Sequence, residues 1–135
     1  MSTEENKGLS RRVAEAMSRQ DLDAFDELMA PDLAEESKRD MSELLRSFPD
    51  YHGEDEIQIA EGDMVAGRFV FYGTHQGEFM GVPPTGRQVT FKGLSLIRVV
   101  DGKIVEFYSD WDIEAIVQQI GAVLSVEPSE EASST

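Results

Sequence analysis

The chain has 135 residues, with 12 Lys and Arg against 27 Asp and Glu, which gives a formal net charge of −15. This length fits one domain with its own core. The acidity disfavours binding to nucleic acid or to anionic membrane surfaces, because both need clustered Lys and Arg. There is no cysteine, which excludes disulfides, thiol catalysis and cysteine-ligated metal sites.

The first part of the chain is predicted to be helical. Apolar residues at helical spacing begin at Leu9, and Asp21 is placed to cap a second helix that ends before Pro31. A third stripe of the same spacing runs from Met41 to Phe48 and stops at Pro49. We therefore expect three N-terminal helices, each with one apolar face.

After these helices the spacing changes to the alternation of β-strands. Asp101-Gly102 is a strong hairpin signal. Helices followed by hairpin-linked antiparallel strands indicate an α+β fold in which the N-terminal helices cover one face of the sheet. The predicted elements are a strand around Ile57 and Ile59, long strands over Met64–Thr74 and Gln88–Val100, a return strand over Lys103–Ser109, and a short helix from Ile113 that ends at Gly121.

The return strand carries an unusual set of side chains. Alternation places one set on a single face: Ile104, Glu106, Tyr108, Asp110 and Asp112. If Asp110 and Asp112 faced an apolar cavity, each would raise the pKa of the other, which suits general acid–base chemistry. Two alternatives stay open. Both aspartates lie in solvent, which alternation alone favours, or the strand ends at Ser109 and one aspartate caps the last helix.

Other catalytic patterns are weak. His52 and His75 are the only histidines, and their spacing is poor evidence for a metal site. No serine lies in a Gly-x-Ser-x-Gly elbow, so triad hydrolysis has no support. Aromatic residues are common in the predicted strands, and a pocket lined by some of them would suit a flat, apolar ligand.

Several motifs between residues 47 and 121 point to one family. They are SFPDYH, GTHQGEFMGVPPTG, DGKIVE, and Asp112 followed by QQIG. Together they resemble the SnoaL-like polyketide cyclases, also called ester cyclases, over about residues 9–121. The resemblance implies the fold of nuclear transport factor 2, in which helices pack on a cone-shaped, strongly curved antiparallel sheet around a pocket. It also implies a homodimer formed through the sheet.

The resemblance further implies a reaction. In these cyclases a late aspartate is the general acid–base of an intramolecular aldol ring closure, and Asp112 matches its position. His75 matches the histidine of the family's Gly-Thr-His motif and is expected to join Asp112 in the catalytic site, as a polar residue at the pocket or its rim. No metal or cofactor is expected, because an apolar cavity and a basic carboxylate meet the needs of the reaction. The expected contacts to a hydrophobic carbonyl substrate are Tyr108, Asp110, Phe71 and Trp111.

Two other functions remain open. The segment after Asp32 is shorter than is usual in the family, so the protein could bind a hydrophobic ligand without catalysis. The same fold also serves as a protein–protein interaction domain. We expect one domain over residues 1–122 and an acidic, Ser-rich disordered tail over 123–135. No apolar run is long enough for a membrane span or a signal core, so a cytoplasmic location is expected.

Overall fold

A computed structural model describes residues 2–121, and the expected tail at 123–135 lies outside this range. The first helix, α1, spans Thr3–Arg19 and begins earlier than the apolar stripe predicts. Ser2 and Glu5 form a capping box there, which satisfies two free N–H groups of the first turn. The helix ends at Gln20, whose φ of 59° is left-handed.

The next two helices differ in length from the prediction. Helix α2 is a short segment, Phe25–Leu28, and no side-chain hydrogen bond from Asp21 caps the turn before it. Helix α3 spans Pro31–Ser47, so it begins ten residues before the predicted stripe at Met41. Pro31 is its first residue, a position that suits proline because the missing N–H would have no partner there.

Four antiparallel strands form one sheet in the order β1-β2-β3-β4. The sequence predicts the bounds of β2 and β3 correctly, whereas β4 continues past Ser109 to Trp111. The α+β class is confirmed. The strands are β1 His52–Glu61, β2 Met64–Thr74, β3 Gln88–Val100 and β4 Lys103–Trp111, and the last helix, α4, is Ile113–Gln119.

Two bulges decide which side chains face the helices. In β1 the register shifts between Asp55 and Ile57, so Asp55 points inward. Ile57 and Ile59 point outward and are 50% and 68% exposed. In β4 the register shifts between Ile104, which pairs with Val99, and Glu106, which pairs with Arg98. A bulge adds one residue to one strand and inverts the alternation beyond it.

The helices cover the inner face of the sheet. Helix α1 lies along β1, where the Ser18 hydroxyl donates to the Gly53 carbonyl oxygen and accepts from the Gly53 N–H, both at 2.9 Å. The side chains packed between the helices and the sheet are fully or almost fully buried. The core includes Val13, Phe25, Leu28, Phe48, Phe91, Ile97, Ile104 and Ile116.

Within residues 2–121 the helices are all too short or too polar to cross a membrane.

Candidate active site

A cavity of about 520 Å³ lies between the inner face of the sheet and helices α1 and α3. Ligand sites in proteins span roughly 300–1,000 Å³, so this cavity is large enough for a small organic molecule. Most of its lining is apolar. The aromatic side chains that line it are Tyr51, Phe69, Phe71, Phe79, Phe107 and Trp111.

The aromatic rings give the cavity a flat wall. Tyr51 stacks on Phe71 with ring centroids 4.7 Å apart and lies nearly parallel to Trp111 at 6.5 Å. Phe69 meets Trp111 edge-on at 6.0 Å. Burial raises the pKa of the Tyr51 hydroxyl well above its usual range, so this side chain is a neutral phenol. A wall of this kind favours a flat, conjugated ligand.

Asp55 brings a half-buried carboxylate into this apolar space. The Ser10 hydroxyl donates to its Oδ2 at 2.9 Å, and Gln58 Nε2 donates to the same oxygen at 3.4 Å. Burial raises the pKa of the Asp55 carboxyl, although Ser10, Gln58 and the charge of Arg11 oppose the shift. A carboxyl with a raised pKa in a cleft is a candidate general acid–base.

The other cavity carboxylates lie at its mouth. They are exposed, and they come from helix α3 and from the loop after β2. Asp55 is therefore the carboxylate that reaches the aromatic interior among the described residues. The mouth carboxylates are Glu36, Asp40, Glu43 and Glu78.

The structure places Asp112 outside this cavity. Its Oδ1 accepts a hydrogen bond from the Ala115 N–H at 3.1 Å, so Asp112 caps helix α4, and its side chain is exposed. This agrees with the alternative in which an aspartate caps the last helix. The catalytic role of Asp112 stays a prediction, and the cavity geometry gives it no support.

Tyr108 and Asp110 also lie away from the cavity. Both are exposed on the outer face of the sheet, where Tyr108 is 57% exposed. The prediction that alternation keeps Ile104 on one face with Tyr108 and Asp110 is wrong, because Ile104 is fully buried. The exposure of Asp110 and Asp112 agrees with the alternative in which both lie in solvent, and the substrate contacts of Tyr108 and Asp110 stay predictions. The bulge in β4 turns the opposite set, Phe107, Ser109 and Trp111, toward the cavity.

His75 is fully buried but does not line the cavity. Its Nδ1 accepts from the Thr85 N–H at 3.2 Å and lies 2.9 Å from the Thr85 hydroxyl oxygen. Its ring packs against Phe48 at 5.7 Å, and Phe48 packs in turn against the cavity residue Phe79. Phe71 and Trp111, by contrast, both line the cavity, and their contact with a substrate stays a prediction.

Sequence reasoning missed Asp55. The strand HGEDEIQIAE contains several acids, and simple alternation puts Asp55 on the same face as Ile57 and Ile59. The bulge separates them, and nothing in the composition of the strand marks its position. The partner that could have drawn attention to Asp55 is Ser10, which lies 45 residues away in sequence.

Comparisons with known proteins give a consistent result. A sequence profile of the SnoaL-like polyketide cyclases matches residues 7–120. Nogalonic acid methyl ester cyclase from Streptomyces nogalater is 39% identical over 69 residues, which is 50% of this chain and 51% of that protein. Aklanonic acid methyl ester cyclase AcmA from Streptomyces galilaeus is 41% identical over 69 residues, 50% of this chain and 47% of that protein. The matched segment covers about half the length of each of these curated relatives.

Solved structures match nearly the whole chain. AclR from Streptomyces galilaeus, a candidate hydroxylase, is 33% identical with a TM-score of 0.81, covering 89% of this chain and 98% of AclR. IdmH from Streptomyces antibioticus, a candidate polyketide cyclase, is 30% identical with a TM-score of 0.76, covering 87% and 99%. With the profile match over residues 7–120, these similarities show that the chain belongs to the SnoaL-like polyketide cyclase family.

Proposed function

We propose that this protein is a cofactor-independent enzyme that acts on a flat, hydrophobic carbonyl compound through intramolecular aldol or isomerase chemistry. Asp55 is its general acid–base. The observation that carries the proposal is one carboxylate with a raised pKa inside an aromatic-lined cavity of about 520 Å³. The relatives that are ester cyclases support the reaction class.

The chemistry needs one group that first takes a proton and then returns it. The Asp55 carboxylate removes a proton from the carbon beside a carbonyl, and the electron pair of that bond passes into the enolate. The enolate carbon attacks a second carbonyl in the same molecule, and a new C–C bond forms. Protonated Asp55 then gives its proton to the resulting alkoxide. The aromatic wall holds the substrate folded for ring closure.

The burial of Asp55 favours it over Asp112 for this role. A carboxylate removed from water is a stronger base than one in solvent, because burial disfavours its charged form. Asp112 is exposed and already accepts a hydrogen bond from the backbone of α4. The hydrogen bond from Ser10 orients Asp55 and leaves its second oxygen, Oδ1, available to the cavity.

The test compares two matched variants, Asp55→Asn and Asp112→Asn, with nogalonic and aklanonic acid methyl esters as substrates. Asp55→Asn should lower kcat by roughly 100-fold or more, the usual contribution of a general acid–base. Asp112→Asn should change kcat little, because asparagine caps a helix about as well as aspartate. The reverse pattern would assign the role to Asp112.

The same experiment separates catalysis from simple binding. The alternative function is a non-catalytic protein that holds a hydrophobic ligand in the same cavity, and the mostly apolar lining supports such binding. If the wild-type protein binds both esters but converts neither, the enzyme proposal is wrong and this alternative is favoured. Isothermal titration gives the binding and product analysis gives the turnover.

We also infer that the protein forms a homodimer through the outer face of the sheet. Exposed apolar side chains from three strands lie together there, around a shallow groove. Contiguous apolar surface of this kind marks an interface. A second copy of the same face is the partner that the family resemblance implies. The side chains are Ile57, Ile59, Leu94, Leu96 and Tyr108.

A further inference from the structure

One row of residues crosses the inner face of the sheet and differs from the rows beside it. Gln58 pairs with Gly67, Gly67 with Ser95, and Ser95 with Ser109. The neighbouring row on one side is wholly apolar, and the row on the other side is aromatic apart from Asp55 and a glycine. These rows are Ala60–Val65–Ile97–Phe107 and Asp55–Phe69–Gly93–Trp111.

The glycine in this row keeps a space open. A Cβ atom at Gly67 would lie 3.2 Å from Ser95 Oγ and 3.6 Å from Asp55 Cγ. The Ser95 hydroxyl and the Asp55 carboxyl therefore border the same point above the sheet. A ligand atom near that point can contact both groups.

The two serines have hydroxyls without partners. Ser95 is only 8% exposed and Ser109 is exposed, and both line the cavity. The hydrogen bonds to the Asp55 carboxylate come from Ser10 and Gln58. Neither Ser95 nor Ser109 makes a side-chain hydrogen bond within residues 2–121. Both hydroxyls are therefore free to donate to a ligand oxygen in the cavity.

We propose that Ser95 and Ser109 donate hydrogen bonds to the carbonyl oxygen of the substrate, next to the carbon that Asp55 deprotonates. This inference rests on the proposed function. Paired residues on adjacent strands bring their Cβ atoms to about 4.5–5.5 Å, so two hydroxyls can reach one oxygen.

The two hydroxyls act on the step that forms the enolate. When Asp55 takes the α-proton, the C–H electron pair becomes the C=C bond and the C=O π pair moves to oxygen. The oxygen becomes negative, and it accepts stronger hydrogen bonds from Ser95 and Ser109 than the neutral ketone does. Donors already aimed at this oxygen favour the transition state.

A ketone that only accepts hydrogen bonds tests the inference without turnover. We would measure binding of 2-acetonaphthone and of the hydrocarbon 2-ethylnaphthalene, which has a similar shape, to wild-type protein and to Ser95→Ala and Ser109→Ala. Each variant should bind the ketone roughly 3- to 10-fold more weakly and the hydrocarbon unchanged. The carbonyl stretch of the bound ketone should move to higher frequency in both variants.

Ser42→Ala is the matched control, since Ser42 is exposed on helix α3 and does not line the cavity. It should change neither affinity nor the carbonyl stretch. The inference is overturned if Ser95→Ala and Ser109→Ala leave the ketone stretch in place, or if they weaken both ligands equally. Ketone binding does not depend on proton transfer, so failure of the Asp55→Asn activity test and failure of this test can be told apart.

Discussion

The pKa of the Asp55 carboxyl is set by opposing influences. Burial raises it, while the hydrogen bonds from Ser10 and Gln58 and the charge of Arg11 lower it, and burial dominates. The folded protein therefore holds this proton more tightly than the unfolded chain does. It follows that ionisation of Asp55 reduces the free energy of unfolding. The folded protein is therefore less stable with an ionised carboxylate at this apolar site than with a protonated one.

Because ionisation of Asp55 reduces the free energy of unfolding, the stability difference between the wild type and Asp55→Asn should depend on pH. Below the ordinary aspartate pKa of about 3.9, Asp55 is protonated in both states, and the variant and wild type should be similarly stable. As pH rises through the higher folded pKa, Asp55 ionises and lowers the stability of the wild type, whereas the variant has no such loss at this position. Its melting temperature should therefore fall relative to that of Asp55→Asn, measured by calorimetry between about pH 3.5 and pH 7.

Glu54→Gln is the control for this experiment. It removes one negative charge from the same strand, but at an exposed position on the outer face. The prediction for Asp55 fails if the wild type gains stability relative to Asp55→Asn as pH rises. It also fails if Glu54→Gln shows the same trend, because the effect would then come from net charge and not from burial.

At the scale of elements, the strand bounds were predictable where alternation is unbroken. Met64–Thr74 and Gln88–Val100 are strands over the whole predicted ranges. The bulges in β1 and β4 were not predictable, because one extra residue leaves a polar-apolar pattern that still looks continuous. Each bulge exchanges the two faces of its strand. Asp55 was therefore missed, and Tyr108 lies on the outer face although Ile104, with which alternation groups it, is buried.

The two bulges bring Ile57, Ile59 and Tyr108 to the outer face of the sheet, where they join Leu94 and Leu96 of β3. This apolar surface predicts a dimer that a single introduced charge should dissociate. Leu96 lies in β3 among the outward apolar residues of the sheet. Leu96→Arg should convert a dimer to a monomer at micromolar concentration, because the charge would be buried against a copy of itself. Sedimentation equilibrium measures the change.

Met80→Arg is the control for the dimer, since Met80 is exposed on the loop beside the cavity mouth and not on the sheet. It should leave the mass unchanged. A wild-type protein that stays monomeric at all concentrations, or a Leu96→Arg variant that stays dimeric, would show that this face is not the interface.

For the whole molecule, charge is concentrated where a ligand enters. The net charge is −15, and four exposed carboxylates line the cavity mouth. Lys38, on the same helix as three of them, is paired with Asp26 at 2.7 Å. An anion approaching the cavity therefore meets repulsion from the mouth as well as from the molecule as a whole. Neutral molecules enter without this penalty.

We therefore expect the protein to discriminate between an ester and its free acid. Methyl 2-naphthoate should bind roughly tenfold more tightly than 2-naphthoate at low salt, and the difference should shrink when salt screens the charges. The triple variant Glu36→Gln, Asp40→Asn, Glu43→Gln should remove most of the preference. Fluorescence titration at two salt concentrations measures both effects.

A second triple variant separates the mouth from the total charge. It removes the same number of negative charges from exposed positions that do not line the cavity: Glu4, Glu15 and Glu61, each changed to Gln. If the mouth carboxylates cause the discrimination, this control keeps the ester preference of the wild type. If both triple variants lose it equally, the long-range field of the whole molecule is responsible. Equal binding of ester and acid by the wild type would mean that charge does not select the ligand at all.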